Sequence, residues 1–152
     1  MTHPFTAPCA LALLAVTGLA ACKQAIDYDT ASDEERTAYL DATSQGLYDG
    51  IKKTLLHGRG DVYMKMGDRT FDIDRRRIEI RVDVSFSGDE PPAFNNLMSS
   101  STVLKDVCPR TYLGTPLEAN DVKVHIRYAM EGGGTMLAAL LSPGTCAPYA
   151  KS

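Results

Sequence analysis

His125 lies in a run, Lys123 to Arg127, in which every second residue is basic or imidazole. Two flanking cations disfavour protonation of an imidazole and leave it available as a general base. That chemistry also needs a nucleophile and an orienting partner, and no Ser, Cys or Asp is tied to His125 by a recognisable motif. Asp72 and Asp74 run into Arg75, Arg76 and Arg77, and such guanidinium groups can grip a phosphate or carboxylate bidentately. Opposite charges this close in sequence more often compensate each other on a solvated turn, and these are expected to do so. His57 closes a predicted helix, where the helix dipole favours a cation. Met64 and Met66 have no nearby His or Cys to complete a copper or heme site and read as core. Gly132 to Gly134 lack the Lys and Ser or Thr of a phosphate loop. Nucleophile elbows, zinc-protease helices, EF-hand loops and dinucleotide fingerprints are absent. The sequence therefore calls for no catalytic residue, no metal and no cofactor.

The elements that must position these side chains follow from periodicity. Ser32 and Glu35 match a capping box, and Leu40, Leu47, Ile51 and Leu55 then recur at helical spacing until Gly58 offers a stop. Asp33, Glu34 and Glu35 suit the first turn of that helix electrostatically, so they read as a capped end rather than a metal site. Val62, Met64 and Met66 alternate as a short strand between Gly60 and Gly67, and Phe71 to Asp74 could form another. The clearest strand is 78–86, with Ile78, Ile80, Val82, Val84 and Phe86 on one face and Glu79, Arg81, Asp83 and Ser85 on the other. Pro91 and Pro92 lead into a second helix through Phe94, Leu97, Met98, Ser101 and Leu104, ending at Cys108 before Pro109. Residues 122–130 repeat the strand signature, with Val122, Val124, Ile126, Tyr128 and Met130 set against Lys123, His125, Arg127 and Ala129. The glycines at 132–134 turn the chain into Thr135 to Leu141, the return arm of a hairpin. The expected fold is α+β, an antiparallel sheet of three to five strands packed on one face by two helices, in the order helix, strands, helix, hairpin.

The N-terminus carries a different kind of signal. The run Cys9–Ala21 is apolar and uncharged, too short to span a bilayer and of the length of a secretory h-region. It ends in Leu19, Ala20, Ala21 and Cys22, which resembles the lipobox of bacterial lipoproteins: an aliphatic residue, two small ones, then the modified cysteine. The resemblance covers residues 1–22 only. It implies a diacylglyceryl group on the Cys22 sulfur, cleavage before Cys22 and acylation of the new amine, for example with palmitate. Two or more acyl chains hold a protein on a bilayer stably, at about 0.8 kcal/mol per buried CH₂. In Gram-negative lipoproteins Asp after the cysteine typically retains the protein in the inner membrane. Lys23 stands there instead, which by the same resemblance places the protein on the outer membrane, facing the periplasm.

The domain plan is then a signal peptide at 1–21, a lipidated N-terminus and short tether at 22–30, and one α+β domain at 31–152. Fully extended, the tether reaches at most about 30 Å. Of the 4 cysteines, Cys9 leaves with the signal and Cys22 carries lipid. Cys108 and Cys146 remain in an oxidising compartment and are expected to form a disulfide. The order of elements with one disulfide is loosely similar to the small lipoprotein pilotins of secretion systems, without a shared motif.

Composition narrows the function classes. Lys and Arg number 16 against 19 Asp and Glu, for a formal charge of −3, so no basic surplus awaits a nucleic acid. The expected partners are the membrane, through lipid on Cys22, and another protein of the envelope. The sequence points to a non-enzymatic binding or assembly accessory module. The surface singled out is the polar row Glu79, Arg81, Asp83, Lys123, His125 and Arg127, if the two strands share a sheet. The alternative is a small lipid-anchored hydrolase that uses His125.

Overall fold

The structure is a computed structural model and describes residues 26–55, 62–87, 100–130 and 134–150. The lipobox with Cys22, His57, Gly58, Pro91 and Pro92, the helical positions Phe94 to Met98, and Gly132 and Gly133 lie outside the described residues.

Helix α1 (Asp33–Leu55) begins where the capping box predicts. The Glu35 carboxylate accepts from both the backbone N–H and the hydroxyl of Ser32, and the Ser32 hydroxyl accepts from the Glu35 N–H. Leu40 and Ser44 are buried, and Leu47 and Ile51 pack against the core from the same stripe.

Four strands follow the periodicity: β1 (Val62–Asp72), β2 (Arg77–Phe86), β3 (Lys123–Met130) and β4 (Thr135–Leu141). They lie in the order β1-β2-β3-β4. Ile78, Ile80, Val82, Val84, Val124 and Ile126 are buried on the face toward α1, as their alternation requires. Helix α2 (Ser100–Val107) packs near β4, and Leu104 and Val107 close the same core.

The fold class is as expected, but three local expectations are corrected. First, the sheet is mixed: β1–β2 and β3–β4 are antiparallel, whereas β2 and β3 run parallel. Alternation fixes which face of a strand is buried and says nothing of its direction. The long connection 87–122 supplies the crossover that a parallel pair needs. Second, residues 62–66 and 71–72 belong to one strand, not two. Gly67 does not end β1; a bulge between Met66 and Arg69 does the accommodating and turns Arg69 to the helix side. There Arg69 donates to the Asp41 carboxylate at 2.8 Å, the Asp41 carbonyl at 3.0 Å and the Ser44 hydroxyl. Third, Cys108 does not finish the second helix but opens a π-helical turn, Cys108–Tyr112, which carries the chain past Pro109.

The Cys108–Cys146 disulfide is present, with Cα atoms 5.4 Å apart across a sequence separation of 38. It joins the turn after α2 to the short helix α4 (Pro143–Cys146) at the exit of β4. A further short helix, α3 (Pro116–Ala119), precedes β3.

The segment expected to be a free tether is partly docked. Tyr28 is buried; its N–H donates to Asn120 Oδ1 at 3.0 Å and its hydroxyl to the Ile73 carbonyl at 2.8 Å. The Arg36 and Arg76 guanidinium carbons lie 5.3 and 4.8 Å from its ring centroid. Arg36 also donates to the Tyr28 carbonyl, and Arg76 pairs with Asp29. Burial raises the Tyr28 phenol above its ordinary 10.0, opposed by these two cations.

Candidate functional site

Parallel pairing of β2 with β3 sets their polar rows side by side on the face away from α1. Arg77 is opposite Lys123, Glu79 opposite His125, Arg81 opposite Arg127 and Asp83 opposite Ala129. The six residues singled out in the sequence are therefore brought together on one surface.

The charges on that surface are paired unevenly. Arg77 lies 3.2 Å from Glu79, and His125 Nδ1 lies 3.9 Å from the same carboxylate oxygen. Arg81 Nε donates to Asp83 at 2.7 Å. Arg81 and Arg127 are register partners, and like charges opposite one another repel. Their side chains diverge: Arg81 folds toward β1, its stem against Gly67, while Arg127 donates to the Thr135 hydroxyl of β4 at 3.1 Å. Gly67 is small for this reason, since a Cβ there would sit 3.0 Å from Arg81 Cγ. Lys123 and Arg127 are exposed and have no carboxylate partner among the described residues. Along β3 their Cα atoms are separated by four residues, about 13 Å.

His125 and Glu79 form a carboxylate and imidazole pair at 3.9 Å, too long for the hydrogen bond that orients a general base. No hydroxyl or thiol among the described residues is hydrogen-bonded to His125, so the pair stands without a nucleophile of this chain there. Asp72, Asp74 and the three arginines do not converge on an anion site. Asp72 accepts from the Arg75 N–H and pairs with its guanidinium at 3.8 Å, Arg76 turns to Tyr28 and Asp29, and Arg77 turns to Glu79. Among the described residues no group of three His, Cys, Asp or Glu side chains could hold a metal ion. No helix among them is long and apolar enough to cross a membrane.

Sequence reasoning missed that β4 extends the polar face. Its pairing sets Leu140 opposite His125 and Ala138 opposite Arg127, and both are exposed. After Thr135 the strand is apolar throughout, so its outward residues gave no alternation to read. Tyr28 was also missed; its only signal is a lone aromatic between Asp27 and Asp29.

No family model matches the chain, and comparison with the curated proteins and with the solved structures finds no match.

Proposed function

We propose that this chain is a lipoprotein held on the outer membrane through Cys22, facing the periplasm. Its domain would act there as a binding or assembly accessory module for another protein of the envelope. The anchor rests on the apolar run closed by Leu19, Ala20, Ala21 and Cys22. The binding role rests on one observation: β2 and β3 pair in register, so that Glu79, Arg81, Asp83, Lys123, His125 and Arg127 share one sheet face. Within that face Lys123 and Arg127 are the charges left for a partner, because Arg81 is already engaged by Asp83.

Crosslinking in intact cells, with the captured protein identified, tests the binding role. Lys123→Glu with Arg127→Glu should abolish capture while leaving the thermal midpoint nearly unchanged, since surface charge changes move stability by under about 0.5 kcal/mol. Undiminished capture by that folded double variant would remove this face. Fractionation of cells expressing Cys22→Ala tests the anchor: the variant should move from the membrane to the soluble periplasmic fraction, and an unchanged distribution counts against lipidation.

A further inference from the structure

The two edges of the sheet differ. The β1 edge is broken by the bulge at 67–68 and carries Lys65, Asp68 and Arg69, features that block pairing with a further strand. The β4 edge has no charge and no proline over Thr135–Leu141. β4 is the last strand of the sheet, and no backbone hydrogen bond joins its outer side to any described residue. An edge of this composition is a template for another extended chain.

The surroundings of that edge specify what the chain should be. Arg127 is directed toward β4, where the side chain opposite it is only Ala138. A strand added to β4 would lie two strand spacings from β3, about 10 Å. Arg127 and an incoming Glu can span that distance across the small alanine. Leu140, exposed two residues further on, offers an apolar contact. Lys123 follows at the end of the sheet, next to the Val124 and Leu141 pair. The outward residues of the added strand are therefore read in the order acidic, apolar, acidic. A second copy of β4 fits less well, because edge-to-edge pairing about Ala138 would bring two Arg127 side chains toward each other.

Resting on the binding role above, we propose that β4 is the docking edge for an extended acidic segment of the envelope partner. That segment adds as a fifth strand and sets carboxylates beside Arg127 and Lys123. The affinity comes from the ladder of backbone hydrogen bonds and the choice of partner from the two cations.

The test uses the full-length chain in neutral detergent micelles and two labelled peptides, Thr-Glu-Val-Leu-Val-Glu-Thr and its counterpart with Lys for both Glu, followed by fluorescence anisotropy. The acidic peptide should bind at least about tenfold more tightly at low salt, with the difference shrinking as salt is added. Ala138→Glu, which places a carboxylate beside Arg127 within the chain, should remove that preference. Arg127→Glu should reverse it, and Tyr63→Glu on the opposite edge should leave binding unchanged. Circular dichroism of each variant checks the fold, and Arg127→Gln gives a milder loss should Ala138→Glu not fold. Equal binding of both peptides, or binding of neither, overturns the proposal. So does crosslinking of Leu140→Cys between copies in a dimer that excludes the peptide. The assay contains no envelope protein, so its failure strikes the edge alone, whereas the capture experiment judges the polar face.

Discussion

Arg76, in the turn between β1 and β2, lies over the ring of Tyr28, its guanidinium carbon 4.8 Å from the centroid. The contact fastens the N-terminal segment to the sheet at the start of β3, where Lys123 N–H donates to the Arg76 carbonyl at 2.8 Å. Tyr28→Ala should therefore cost about 3–5 kcal/mol, while Tyr28→Phe, which loses only the hydrogen bond to Ile73, should cost about 1 kcal/mol. Urea unfolding followed by tyrosine fluorescence, in a chain without Trp, measures both. Equal losses would show that the buried ring contributes nothing.

Arg76 also has a backbone φ of 49°, in the left-handed region. Replacing it by Gly or Ala removes the same guanidinium, but only Gly is free of the steric penalty there. Arg76→Gly should be more stable than Arg76→Ala by about 1 kcal/mol, the reverse of their order in a helix.

The hydroxyl of Tyr112 is buried with no hydrogen-bond partner among the described residues, and burial drives its phenol far above the ordinary range. An unpaired buried hydroxyl costs about 1–3 kcal/mol. Tyr112→Phe should therefore leave the urea midpoint unchanged or raise it. A clear fall would mean that the hydroxyl is satisfied after all.

Gly67→Ala should destabilise by about 1–3 kcal/mol, because the new methyl meets Arg81 Cβ at 3.2 Å and Asp83 Oδ2 at 3.2 Å as well as Arg81 Cγ. Arg81→Ala vacates that space. A double-mutant cycle should therefore find Gly67→Ala much milder in the Arg81→Ala background, and strict additivity would contradict the contact.

Glu35 accepts two hydrogen bonds from Ser32, which hold its carboxyl below its ordinary 4.5. A depressed carboxyl stabilises the fold above its unfolded value, and the contribution is lost as pH falls through the folded value. Ser32→Ala removes the hydroxyl bond and keeps the larger one from the backbone N–H, so it should raise the Glu35 titration midpoint only part of the way toward ordinary. NMR titration of the Glu35 side chain reads the shift directly.

The sequence was legible wherever one residue type recurred with a period. Strands 78–86 and 122–130, and the helix start at Ser32, stand within a residue of their predicted places because buried alternation and capping are local patterns. What escaped depends on partners distant in the chain. Nothing in 78–86 records that its neighbour runs parallel, and a glycine lying under Arg81 reads like a glycine that ends a strand. Tyr28 has one near partner, Arg36, but its other contacts, to Asn120, Ile73 and Arg76, all come from at least 45 residues away. The polar face was named residue by residue, but its extension over Ala138 and Leu140 was hidden in a strand with no polar residue after Thr135 to mark a side.

The parallel seam between β2 and β3 also orders events in time. Each antiparallel hairpin, β1–β2 and β3–β4, closes over a few residues, whereas the seam must first close the loop 87–122 and lose the larger conformational entropy. Loop-closure entropy thus predicts a chain that forms two hairpins early and zips them together late. Variants of Ile80 or Ile126, which meet across the seam, should then mainly accelerate unfolding and leave the refolding rate nearly unaltered. Before that closure each hairpin carries only half of the row from Glu79 to Arg127, and Lys123 and Arg127 stand on the second hairpin together with the β4 edge.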